Sequence, residues 1–287
     1  MGPDYPRLAC RLFPRPVRPL LAGLGLLVLA SCSSLPGLPD GRFTLLPVAN
    51  LLKPEGKVKV AQGTLDTGSN DLETDLKLSD RETDPAATLF FGDGFSGFDL
   101  TYEQYRRKNS RGNLPNRLGS LIAGEISRSN LDYFGWRLGY VAQLYGYDFP
   151  ATVPLGTDIE LTPHIQLGAG PGVHYIDQRL TVQGLSSGGT EEVEATAIVP
   201  LLVVRGQLNL DRLILRVDHS FSYGDWGDVT DLYSDTSLTL RWEVADEVQA
   251  LVGMRILKLD MEGSSNGNDF ETSGRYQGWV LGLNLEF

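Results

Sequence analysis

The sequence predicts an all-β protein, an antiparallel transmembrane β-barrel of about ten strands, with eight or twelve also compatible. Three observations carry this. From Gly56 onward, segments in which apolar side chains alternate with polar or small ones recur, and no stretch shows a convincing 3.6-residue period. The connections between them alternate between terse ones (209–212, 245–247 and 92–94) and longer polar ones (67–85, 108–118, 184–191, 225–231 and 263–273). The segments run to about ten residues or more, enough for a tilted strand to cross the hydrocarbon layer. Short turns at one end with long loops at the other is a barrel's layout, whereas a soluble sandwich has shorter strands and no such asymmetry.

Composition agrees and excludes some alternatives. At 287 residues the chain holds one large domain or two modest ones. Hydrophobic residues make up 41%, too few for a helical membrane protein, and 33 glycines suit many strands joined by tight turns. A formal charge of −11 argues against a nucleic-acid partner. The two cysteines, Cys10 and Cys32, leave the body of the chain without a disulfide scaffold or a thiolate metal site.

The first element is an export signal. Arg7, Arg11, Arg15 and Arg18 precede the apolar run LLAGLGLLVLASCSSL, which is too short and too close to the terminus for a transmembrane helix. Its end, Leu29-Ala30-Ser31-Cys32, resembles the lipobox of bacterial lipoproteins. That resemblance implies cleavage before Cys32 and a lipid on its thiol, and Ser33 resembles the outer-membrane sorting class. Residues 1–31 are then signal peptide, 32–55 a lipidated, proline-containing tether with one short ordered piece near Phe43–Leu52, and 56–287 the barrel.

Strands follow in order. The first two, near 57–66 and 86–93, are poorly patterned. Then come Phe98–Tyr102, Phe134–Leu144, Ile159–Tyr175, Leu202–Leu210, Leu213–Tyr223, Leu238–Val244 and Val248–Ile256, each apolar at every second position. The segment 117–132 fits either the upper part of one strand or an extra hairpin. The last strand, RYQGWVLGLNLEF, carries Trp279, Leu281, Leu283, Leu285 and Phe287 on one face and small or polar residues on the other. This ending resembles that of bacterial outer-membrane barrel proteins, in which the terminal Phe and the apolar positions before it are read by the barrel assembly machinery. More loosely, DLETDLKLSD (71–80), GAGPGVHYID (168–177) and IVPLLVVRGQLNL (198–210) resemble outer-membrane barrel proteins with no assigned activity.

If the apolar stripe faces lipid, the opposite stripe lines the lumen. It collects Arg137, Arg205, Arg216, Arg241 and Arg255 against Asp99, Glu103, Glu160, Asp218 and Glu243. Eight to ten strands enclose room for side chains rather than a pore, so five cations against five anions reads as a paired polar core. His164 and His174 share the lumen stripe but lie too far apart for one metal, and His219 shares the lipid-facing parity. No set of residues has ligand spacing, and no metal or cofactor is expected. His174, beside Gly170 and Gly172, is the general base to consider if the protein is an enzyme, although no nucleophile elbow accompanies it. In the acidic loop 66–84, alternating Asp71, Glu73 and Asp75 could hold a divalent cation of the kind that bridges lipopolysaccharide, without matching a calcium-loop motif.

The expected role is structural, or the display of loops, by an outer-membrane lipoprotein whose lumen is closed by paired charges and whose lipid lies on the periplasmic side. A small-solute channel, a lipid A or phospholipid acyl hydrolase, and a soluble lipocalin-like binding lipoprotein are the alternatives. The expected partners are membrane lipid, lipopolysaccharide and the assembly machinery.

Overall fold

Ten long strands wind up and down around a closed ring in a computed structural model, which describes residues 41–61, 67–79, 82–149, 153–154, 160–161 and 163–287. They are β1 (Arg42–Ala61), β2 (Asp84–Gly92), β3 (Gly97–Asn113), β4 (Ile126–Asp148) and β5 (Pro163–Gly184), followed by β6 (Thr190–Leu210), β7 (Leu213–Tyr223), β8 (Val229–Ala245), β9 (Val248–Ser265) and β10 (Asn268–Glu286). Each pairs antiparallel with its neighbour in the chain, and β10 closes on β1 from Thr44↔Glu286 to Ala61↔Asp269. The last backbone amide, of Phe287, donates to the Phe43 carbonyl at 2.9 Å. A two-residue strand, Asn70–Asp71, joins the ring against β1, and Val153–Pro154 pairs with Glu160–Leu161 in a separate hairpin.

Most strands are longer than the sequence indicates, and the long ones, unlike β2 and β7, obey two opposite patterns. Along β6 the outward residues run from Glu192 and Glu194 to Ile198, Leu202 and Val204, while the inward ones run from Val193, Ala195 and Ala197 to Arg205 and Gln207. β9 repeats this, with Val252 and Met254 exposed beside inward Arg255, then Lys258 and Glu262 outward beside buried Leu257, Leu259 and Met261. Near the turns and termini the wall is apolar outside and polar inside, as lipid requires; near the loops it is charged outside and apolar inside, as water requires. The apolar outer stretch of β6, Ile198–Leu210, spans about 30 Å when tilted, enough for a bilayer core. Aromatic rings border it. Tyr102, Phe134, Trp136 and Tyr175 touch one another on the loop side, and Phe43–Phe91 and Phe98–Tyr140 pair at 4.7 Å on the turn side.

This inversion corrects the expected loops. Residues 108–113 and most of 263–273 belong to strands, and only Asn266 and Gly267 separate β9 from β10. Residues 42–55, expected in the tether, form most of β1. Glu160, expected in the lumen, lies in the separate hairpin rather than in the ring. Cys32 and the export signal lie outside the described residues.

Candidate functional site

The interior divides into three layers, stacked from the loops to the turns. The outermost is an apolar core. Because β2 is short, the upper halves of β1 and β3 have no strand between them, and residues 67–79 fill the gap. The Leu72 amide donates to the Gly56 carbonyl on β1, and the Asn113 amide on β3 donates to the Asp75 carbonyl, both at 2.9 Å. Leu72, Leu76 and Leu78 thereby point inward and are buried, as are Leu114, Leu118 and Leu121 from the loop above β3.

That loop crosses the mouth. Its Gly119 amide donates to the Val60 carbonyl of β1 at 3.0 Å, and its Ser120 amide to Glu191 of β6 at 2.7 Å. Glu125, at its end, accepts the amides of Ser186 and Ser187 at 3.1 and 2.6 Å, and these bonds hold its carboxyl below the usual range. Arg107, fully buried, seals the gap from the side. Its guanidinium donates to Asp84 at 2.9 Å and to the Leu52 carbonyl at 2.7 Å, and lies 4.0 Å from the Tyr105 ring centre.

Here the acidic loop finds a different use for its carboxylates. Asp71 accepts the amides of Glu73 and Thr74, each at 2.8 Å, Asp75 accepts that of Asp71 at 2.7 Å, and Glu73 pairs with Lys53. The three side chains shape a turn instead of converging, and among the described residues no group of three or more acidic, His or Cys side chains is arranged around a metal-sized space.

The middle layer is the charge network. Arg255 holds Asp235 through two bonds of 2.8 Å and also pairs with Glu103. Arg137 donates to Asp235 at 3.1 Å and lies 3.8 Å from Asp99. Arg205 bridges Asp218 at 2.6 Å and Asp99 at 3.3 Å, and donates to the Phe95 carbonyl at 2.9 Å. Asp235, the carboxylate that joins two of the arginines, escaped the sequence reading because it precedes the predicted strand start at Leu238.

His174 belongs to this layer. It is 1% exposed, with one ring nitrogen 2.7 Å from the Tyr233 hydroxyl and the other 3.4 Å from Glu103. The glycine that makes room for it is Gly135 across the strand pair, where a β-carbon would come within 2.6 Å of Nε2. Gly135, rather than Gly170 or Gly172, therefore accommodates the imidazole, whose polar neighbours are Tyr233 and Glu103. His164 pairs with Asp148 near the turn end, and His219 faces outward against Thr236 and Phe221.

The third layer is a cavity of about 610 Å³ below the network, reaching the turn-side rim at Arg42, Asp211, Glu243 and Glu286. Its walls mix hydrogen-bonding residues such as Thr88, Gln166, Ser237 and Asn284 with apolar Phe90, Leu251 and Val280 and with charged residues of both signs, Arg216 and Arg241 among them. Arg216 is 3% exposed and reaches Asp218 through Nε at 3.3 Å, while its Nη2 has no hydrogen-bond partner among the described residues. Arg241 makes no ion pair among them.

No family model and no curated protein matches the chain. Among solved structures, the outer membrane protease OmpT from Escherichia coli is similar with a TM-score of 0.52 and 12% identity, over 90% of this chain and 100% of that one. The fold is that of an outer-membrane β-barrel. The translocator domain of the autotransporter NalP from Neisseria meningitidis (TM-score 0.36, 12% identity, 94% and 95% covered) and Ail of Yersinia pestis (0.32, 10%, 86% and 99%) are more distant. At these identities the likeness concerns the fold alone.

Proposed function

We propose that this chain is a closed barrel of the bacterial outer membrane that holds a rigid, charged dome above the bilayer and conducts no solute. The observation that carries the reading is the loop-side core. Leu72, Leu76, Leu78, Leu114, Leu118 and Leu121 are buried together in the upper barrel, so the described residues fill the space above the ion pairs with apolar side chains. The exposed apolar belt around Leu138, Leu202, Leu240 and Leu281 speaks for lipid contact and against a soluble ligand carrier. Lipid, lipopolysaccharide at the dome's base and the barrel assembly machinery are the partners this reading implies. In planar bilayers the refolded protein is expected to give no discrete conductance steps; steady single-channel openings would overturn the reading.

Cys32 is the proposed lipid site. Cys32 lies ten positions before Arg42 at the turn-side end of β1, a length of chain that spans up to about 35 Å when extended. Cells expressing Cys32→Ser are expected to lose palmitate incorporation while retaining the barrel's heat-modifiable migration on gels. Deleting Phe287 is expected to do the reverse, leaving lipidated but unfolded chains. Undiminished labelling of Cys32→Ser, or normal assembly without Phe287, refutes the corresponding assignment.

A further inference from the structure

We propose that the turn-side cavity is a binding site for a phosphate carried on a polyhydroxy body, a sugar phosphate in chemical class. This goes beyond a structural barrel and does not depend on the dome being a display surface.

The argument begins with unequal pairing. Arg205, Arg137 and Arg255 have their carboxylates, whereas Arg216 shares Asp218 with Arg205 and Arg241 has no ion pair among the described residues. A buried guanidinium with an unfilled donor is costly unless something fills it. Here that donor, Nη2 of Arg216, is itself buried but belongs to a side chain lining the cavity, so a small turn of the guanidinium brings it to a ligand.

The backbone supports a two-armed clamp. Arg216 stands opposite Thr239 across the β7–β8 pair, and Arg241 stands opposite Ile214. The two arginines are thus diagonal neighbours with β-carbons about 7 Å apart, close enough for their flexible stems to bring both forks onto one tetrahedral anion. Arginine's planar fork suits phosphate oxygens, and two forks match a doubly charged group better than a monoanion.

The rest of the cavity selects the body. Thr88, Gln166, Ser237, Thr239 and Asn284 offer hydroxyls and amides in a space of about 610 Å³, with Gln207 paired opposite Arg216 on the β6 side. Phe90, Leu251 and Val280 add apolar surface beside these groups, and such a mixed lining suits a sugar ring, with hydroxyls at its edge and C–H groups on its face.

The test uses the full barrel refolded in neutral detergent, with glucose 6-phosphate, inorganic phosphate and glucose as probes and calorimetry as readout. Glucose 6-phosphate is expected to bind more tightly than inorganic phosphate, and glucose not at all. Inorganic phosphate binding as tightly as the sugar phosphate would overturn the polyhydroxy body, leaving a plain anion site. Arg241→Gln is expected to weaken sugar phosphate binding at least tenfold, the loss of a charge-assisted pair. Arg216→Gln should do the same but disturbs Asp218, so Arg241→Gln, which breaks no ion pair, decides between lost site and lost fold when its heat-modifiable migration is unchanged. Absence of phosphate-bearing ligand binding to folded wild-type protein at millimolar concentration sinks the proposal. So does unaltered affinity in folded Arg241→Gln.

Discussion

Arg107 occupies the place where two strands fail to meet. Above the end of β2, the edges of β1 and β3 would face each other across a gap, and this one guanidinium spans it to Asp84 and to the Leu52 carbonyl. A buried charge so placed is a liability when its partner is lost, because the survivor keeps its desolvation cost without its compensation. Arg107→Ala leaves Asp84 in that position and is expected to destabilise the barrel by about 3–5 kcal/mol, read from urea unfolding in vesicles. The double change Arg107→Leu with Asp84→Leu should recover much of that loss. Neither residue stood out beforehand, since Arg107 lies among Arg106 and Lys108 in a charged stretch that reads as the start of a loop.

At the scale of the element, each of the long strands changes solvent partway along. On β6 the change falls between Glu194 and Ile198, and a charge should be tolerated on one side of it and not on the other. Leu202→Arg, outward at bilayer depth, is expected to cost about 2–4 kcal/mol. Thr196→Arg, outward near the boundary, is expected to change stability by less than about 1 kcal/mol. Equal effects in vesicle unfolding would contradict the proposed boundary.

The same feature explains what the sequence could and could not disclose. In the membrane half, apolar residues such as Leu238, Leu240 and Trp242 alternate with Thr239 and Arg241, and that period is easily read. In the upper half Lys258, Asp260 and Glu262 interrupt the buried set Leu257, Leu259 and Met261, so the stretch reads as a polar loop although its period is also two. β1 was obscured differently. Phe43, Leu45, Ala49 and Leu51 on one face meet Leu46, Val48 and Leu52 on the other, with Pro47 and Pro54 between them, and an apolar run on both faces has no alternation to detect. Seven of the charged lumen residues found by parity, Arg137, Arg205, Arg216, Arg255, Asp99, Glu103 and Asp218, do meet in ion pairs; Asp235, which joins two of the arginines, required knowing how far β8 extends.

For the whole molecule, ring closure and layering together make a vessel with one open end. The apolar core and the crossing loop close one mouth, the ion network forms the floor, and the space below faces the side of the turns and termini. On the proposed reading, a chain built this way keeps the two compartments apart and offers a different surface to each: charged strand ends to one, and a recess to the other. The absence of conductance and the presence of sugar phosphate binding are therefore compatible outcomes, each with its own test.

The change of solvent along the long strands also acts as a safeguard against misassembly. In an ordinary amphipathic sheet a one-residue slip between neighbours is penalised once, by turning apolar side chains to the wrong face. Here the same slip would be penalised twice. It would drive Arg205 or Arg255 into lipid at one end of the strand and expose Val193 or Leu259 to water at the other. A barrel that must fit two environments at once has fewer ways to close wrongly than one fitted to either alone.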